Sequence, residues 1–261
     1  MKSKIAQAIQ PKYLPVAVIL TNEKPQGATQ FQENKFGCVA AMLNTAAKGR
    51  TAAFDRKTFG CPGGGVGLGF GNQYTNFPGR IENFLSTGNP EFCKTELGQK
   101  LVQQMPLLED GEHYLKNPEI AKKMVGSMPM TDVPTEYVVF KPLENVAEDE
   151  VPHVVIFLAN PDQLTALVVL ASYERNAYDN VIAPFGAACQ QIGIITYQEG
   201  EAEKPRAVIG LTDITIRKMY DKDILSFSVP YKMYLEMEAN VEGSFLEEHG
   251  WENILKRNQN T

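Results

Sequence analysis

Val16-Ala17-Val18-Ile19-Leu20 and His153-Val154-Val155-Ile156-Phe157-Leu158 are apolar runs rich in branched residues, and each is bounded by turn chemistry. The first follows Pro15 and ends in Thr21-Asn22-Glu23-Lys24-Pro25; the second runs into Asn160-Pro161-Asp162. Short apolar runs punctuated in this way read as buried strands. A helix-forming stretch follows each. Cys38 to Lys48 is rich in Ala, Met and Leu, is entered through Gly37 and stops at Gly49, a suitable C-cap. Gln163 to Arg175 is an apolar helix behind the Asn160-Pro161-Asp162 turn. Thr51-Ala52-Ala53-Phe54 and Val181-Ile182-Ala183 then read as short strands.

Further strands are expected at Glu136 to Phe140, Ala207 to Gly210 and Leu225 to Val229. Further helices are expected at 81–85, 91–104, 117–124, 232–239 and 243–257. Alternating strands and helices define an α/β or α+β class, a mixed sheet with flanking helices. The order strand, helix, strand, then Phe59-Gly60-Cys61 matches the order strand, helix, strand, then Phe185-Gly186-Ala187-Ala188-Cys189. This suggests two pseudo-repeated β-α-β halves, with coincidence of common punctuation as the plain alternative. Acidic Glu148-Asp149-Glu150 marks a boundary between residues 1–150, with a Cys/Gly-rich loop, and residues 151–261, with an Ala-Cys turn; one compact domain is the other arrangement.

The chain has 261 residues, 43% of them apolar and 21% charged, ordinary values for a globular protein. A net charge of −6 without clustered Lys/Arg argues against a nucleic-acid surface. The first ten residues carry no apolar leader and no later run approaches a membrane span, so a cytoplasmic location is expected. Four cysteines are too few for a disulfide framework in a chain this long, which leaves free thiols, ligands or redox groups.

Gly37-Cys38, Cys61-Pro62-Gly63-Gly64-Gly65 with Leu68-Gly69, Asn160-Pro161-Asp162-Gln163 and Ala188-Cys189 stand in this order along the chain. With them the sequence resembles the family called domain of unknown function 169, over most of its length. The resemblance implies the organisation above and singles out these residues without supplying a reaction. Cys93 lies outside the pattern.

Cys38, Cys61 and Cys189 all fall in Gly- or Ala-rich turns at strand ends or helix starts. Exposed amides there lower a thiolate pKa and hydrogen-bond cluster sulfur. Three converging thiolates suit an iron-sulfur cluster or another soft metal in a redox or accessory role, with a redox partner. Against this stand the lack of a Cys-x-x-Cys pair and the frequency with which free cysteine simply packs. A reactive thiol at Cys61 or Cys189 is a third use, although no general base stands out beside either. Cys93, between Phe92 and Lys94, reads as a partly exposed thiol.

Seven glycines stand from Gly60 through Gly71. The stretch meets neither the dinucleotide fingerprint nor the Walker loop. Read as a loop, Gly63, Gly64, Gly65 and Gly67 form an anion nest for a phosphate, carboxylate or nucleotide, a small-molecule binding function; alternatively they permit tight packing. His113, His153 and His249 lack metal-ligand spacing. No Gly-x-Ser-x-Gly occurs, and Ser226 and Ser228 read as polar-face residues of a strand. Asp162 reads as a helix cap, with a substrate contact as the alternative. Asp213 and Arg217 follow a strand, where loops of α/β sheets carry sites, and Arg217 would fork onto a carboxylate or phosphate or make a structural pair.

Overall fold

In the computed structural model, which describes residues 1–33 and 35–259, seven strands form one sheet. They are β1 (Val16–Thr21), β2 (Ala52–Phe54), β3 (Tyr137–Pro142), β4 (Val154–Ala159), β5 (Val181–Ile182), β6 (Ala207–Gly210) and β7 (Leu225–Pro230). Their order is β2-β3-β1-β4-β7-β6-β5. Neighbours run antiparallel except β5 and β6, which are parallel. The helices are α1 (Lys4–Ile9), α2 (Val39–Ala47), α3 (Pro62–Leu68), α4 (Ile81–Phe84), α5 (Pro90–Cys93), α6 (Glu96–Val102), α7 (Leu107–Asp110), α8 (Pro118–Gly126), α9 (Pro161–Leu170), α10 (Ala188–Ile192), α11 (Ile194–Glu201), α12 (Tyr231–Ala239) and α13 (His249–Gln259). The fold is therefore α/β, a mixed sheet with flanking helices. No helix among the described residues is long and apolar enough to cross a membrane.

Two compact units arise: residues 1–70 with 133–261, which hold the sheet, and residues 71–132, which hold α4 to α8. The expected boundary at residue 150 does not divide the chain, because β1 and β4 pair across it through Val16 with Ile156 and Val18 with Val154. The boundaries fall instead where the helical insertion leaves and rejoins the sheet unit.

One face of the sheet buries Ala17, Ile19, Val155, Phe157, Phe227 and Val229 against Ile5 and Ile9 of α1, Leu167 and Leu170 of α9, and Met233 of α12. Strand side chains alternate, so Ser226 and Ser228 point to the opposite face, where Gln191 of α10 reaches the sheet beside Gly210. α10 packs on α3, and α3 on Val39 of α2. α2 and α9 therefore lie on opposite faces, and two equivalent halves are not reproduced.

Local chemistry explains most of the boundaries. At α9, the Asn160 side chain accepts the Gln163 amide (2.9 Å) while Gln163 accepts the Asn160 amide (3.0 Å), a reciprocal cap followed by Pro161 at the first helical position. α9 ends at Leu170, short of the expected Arg175, in a series of turns. α1 was not expected; Ser3 Oγ accepts the Ala6 amide (3.0 Å) and Ile5 and Ile9 bury its apolar side. The helix expected at 91–104 is two. Thr95 Oγ1 caps α6 by accepting the Gly98 amide (3.0 Å), and Gly98 abuts α5 so closely that a Cβ there would stand 2.0 Å from Phe92 O. The terminal helix also starts later than expected, at His249.

The largest departure is the glycine run. Pro62–Leu68 is a helix, not a loop, with Cys61 as its N-cap, Pro62 in its first turn and Gly69 ending it in the left-handed region at φ 89°. Glycine is a poor helix former, so tertiary packing holds these nearly two turns.

Candidate functional site

Cys38 is the N-cap residue of α2, Cys61 the N-cap residue of α3, and Cys189 the second residue of α10. Glycines bring these three helix starts together. Gly60 (φ 82°) lies against the backbone of Gly37, where a Cβ would stand 2.5 Å from Gly37 O; this joins the turns that carry Cys61 and Cys38. Gly67 lies against Cys189, with a Cβ position 2.5 Å from its carbonyl carbon, and Gly193 lies against Gly67 O. Gly64 meets Val39. The sequence places one cysteine beside each of these close approaches.

Gly63 and Gly64 link two of the sulfurs. Cys61 Sγ accepts the Gly64 amide at 3.3 Å. Cys189 Sγ donates to Gly63 O at 3.0 Å. Across the one peptide unit between these bonds, standard covalent dimensions keep the two sulfurs within about 9 Å. Burial pushes the Cys61 thiol up, and the Gly64 amide and neighbouring Cys38 act on it more weakly. Cys189 is pushed well above the ordinary thiol range, first by burial and then by Cys61, Cys38 and Asp213. The expectation of acidic thiols at helix starts therefore fails at both residues, because loss of water outweighs the amides.

Residues 211–220 are bonded to the helices that carry Cys189 and Cys38. At one end, Gln191 Nε2 donates to Thr212 Oγ1 (2.7 Å), and Gln191 Oε1 accepts the Thr212 amide (3.4 Å), which fixes the segment to α10 two residues beyond Cys189. At the other, Asn44 Nδ2 donates to Met219 O (3.1 Å) and Tyr220 OH to Ala40 O (2.5 Å), which fix it to the helix begun by Cys38. Burial pushes the Tyr220 hydroxyl up, and Cys38 adds to the shift. Arg217 does not await an anion: its guanidinium donates to the carbonyls of Ile224, Lys222, Asp221 and Leu211. Asp213 Oδ1 accepts the Thr215 amide (2.9 Å).

The glycines serve packing. The Gly64 amide bonds to the Cys61 sulfur and the Gly65 amide to Cys61 O (2.9 Å), so the start of α3 is occupied by its own cap. Asp162 is not the cap of α9, a role Asn160 fills; it pairs with Arg257 at 2.5 Å. His113 and His249 are exposed, and His153 sets its ring edge-on to Tyr197 with centroids 6.0 Å apart. Cys93 belongs to the helical unit and is buried, not partly exposed; burial, Glu109 and Asp110 push its thiol up. Ser226 and Ser228 are fully buried and their hydroxyls have no partner among the described residues, because the face expected to meet water is covered by α10 and α11. Among the described residues no three His, Cys, Asp or Glu side chains stand together as ligands of one metal ion.

Fold and site together define a class: a mixed α/β sheet protein with cysteines at three converging helix starts. The chain belongs to the domain of unknown function 169 family, described as uncharacterised ArCR, whose profile matches residues 4–240. No curated protein and no solved structure matches the chain. All three clustered cysteines and the Asn160 to Gln163 cap lie within the matched residues.

Proposed function

We propose that Cys38, Cys61 and Cys189 hold an iron-sulfur cluster, and that the protein acts in the cytoplasm as a redox or accessory protein with a redox partner. The observation that carries this reading is convergence: three cysteines from distant parts of the sequence open three helices that meet at one place. Thiolates sharing one ion at about 2.3 Å lie only ~4 Å apart, whereas in a cluster each binds its own iron and the sulfurs stand farther apart. A cluster therefore asks a less close approach of the three thiols than a single ion does. The Gly64 amide at Cys61 is placed to bond cluster sulfur once the thiol binds iron.

The other readings draw less support. An anion cradle at Gly63, Gly64, Gly65 and Gly67 would need the Gly64 and Gly65 amides, which Cys61 already engages. A nucleophilic thiol would need a lowered pKa, opposite to the direction at Cys61 and Cys189.

The test is anaerobic purification with an absorption spectrum and quantification of iron and acid-labile sulfide. Wild type and Cys93→Ser are expected to carry a visible band with stoichiometric iron, and Cys61→Ser to lose both. A colourless, iron-free wild type after reconstitution with iron and sulfide overturns the proposal and moves the search to small-molecule ligands.

A further inference from the structure

Two of the three cysteine turns share one side chain. Gly37 precedes Cys38 and Gly60 precedes Cys61, and the ring of Phe31 lies against both glycines. A Cβ on Gly37 would stand 2.5 Å from Phe31 Cδ1 and 2.6 Å from its Cζ, and one on Gly60 would stand 2.9 Å from its Cε2. Each turn thus gives up a side chain to admit the same ring. The sheet in turn sets the place of that ring. The Thr29 amide donates to Thr51 O (2.8 Å) and Thr29 O accepts the Ala53 amide (2.9 Å), which ties residue 29 to β2. Gln30 Nε2 donates to Asp55 Oδ2 and to Thr58 Oγ1, both at 2.7 Å. Phe31, the next residue, tilts onto buried Phe54 of β2 with ring centroids 5.9 Å apart, and Phe54 meets Phe140 of β3 edge-on at 5.1 Å. A line of rings therefore runs from the sheet core to the turns that carry two of the thiols.

We propose that Phe31 is the positioning residue of the cysteine site, the spacer that fixes the separation of the turns presenting Cys38 and Cys61. The inference rests on the iron-sulfur reading above only for what that separation holds. Cys189 is placed by other contacts, with Gly67 and Gly193.

The experiment compares wild type, Phe31→Leu, Phe31→Ala, Gly37→Ala and the double variant Phe31→Ala/Gly37→Ala, each reduced and iron-free. The proteins are treated with iodoacetamide at neutral pH, and the alkylation rate of every cysteine is followed by peptide mass spectrometry. Phe31→Ala is expected to speed alkylation of Cys38 and Cys61 on the order of tenfold through local opening of the two turns, with Cys93 and Cys189 within about twofold of wild type. Phe31→Leu is expected to fall between, and decides the matter if alanine leaves the protein unfolded. Gly37→Ala alone is expected to speed Cys38, because its methyl and the ring compete for one place, and to add little once the ring is gone. Rates that rise alike at all the cysteines, or effects of the two substitutions that simply add, reduce Phe31 to ordinary core packing and overturn the proposal. The same proteins are then reconstituted anaerobically with iron and sulfide. Wild type is expected to show the visible band and folded Phe31→Ala to lose it; a folded Phe31→Ala with the wild-type band also overturns the proposal. A wild type that takes up no iron overturns the cluster reading alone, since the alkylation rates still decide the role of Phe31.

Discussion

Gly67→Ala tests how the helix starts are brought together. The new Cβ would stand 2.5 Å from the carbonyl carbon of Cys189, and 2.7 Å from both its Cβ and its carbonyl oxygen. Ordinary contact begins about 0.9 Å farther out, and what blocks the methyl is largely backbone, which cannot rotate away. Forcing an extra carbon into a packed helix contact costs on the order of 3 kcal/mol. Alanine returns about 1 kcal/mol through its better helix propensity. The net loss of ~2 kcal/mol corresponds to a fall in Tm of roughly 4–8 °C for a unit of this size. Gly200→Ala in α11 is the matched control, since its Cβ would meet only Pro230 Cβ at an ordinary 3.5 Å. It gains propensity without a clash and is expected to melt at or up to ~3 °C above wild type. Differential scanning calorimetry on the three proteins decides the matter. A Gly67→Ala protein that melts within a degree of wild type would refute the argument that this glycine exists to admit Cys189.

Ser228→Ala removes a buried hydroxyl with no partner among the described residues, so it is expected to leave stability unchanged or raise it by ~1 kcal/mol; a loss of that size in chemical denaturation would mean the hydroxyl is satisfied in solution. In the metal-free protein, raised pKa values at Cys61 and Cys189 mean that the unfolded chain gives up its thiol protons first as pH rises. Tm is therefore expected to fall as pH climbs past the ordinary thiol range, with a shallower fall in Cys189→Ala; a pH-independent Tm there contradicts the burial of these sulfurs. Arg217→Ala leaves four carbonyls without their donor and is expected to cost ~2–3 kcal/mol, with faster amide hydrogen exchange confined to residues 211–224. Uniform exchange across the sheet unit would show that Arg217 does not act locally.

The strands were legible because the signal that makes a buried strand, a short branched apolar run between turn residues, is written within the run itself. Val16 to Leu20 and Val154 to Leu158 lie side by side only through β1 and β4, however, and no local feature announces that pairing. The glycine run misled for a physical reason. Propensity argues against a helix at Pro62 to Leu68, and the forces that override it come from Val39, Cys189 and Gly193, at positions remote in the sequence. The cysteines were found by their setting in small-residue turns, but the direction of their pKa shifts was not. Amides at a helix start are visible in sequence, whereas the burial that outweighs them is a property of the assembled fold. Asp213 draws attention in the sequence by following a strand; the clasp of Gln191 on the preceding Thr212 carries no sequence signature.

Where the helical insertion departs, Val133 N–H donates to Gly69 O at 2.7 Å, and within the insertion Gly71 N–H donates to Thr131 O at 3.0 Å. Entry and exit are thus neighbouring rungs of a narrow neck. For the sheet, joining β2 and α3 to β3 is a short closure whatever length of chain lies beyond the neck, and closure entropy rises only slowly with that length. The insertion is therefore free to lengthen, shorten or be exchanged over evolutionary time without disturbing the pairing of β2 with β3. A designer could likewise replace it with a tight turn between Gly69 and Val133, or put a reporter domain in its place.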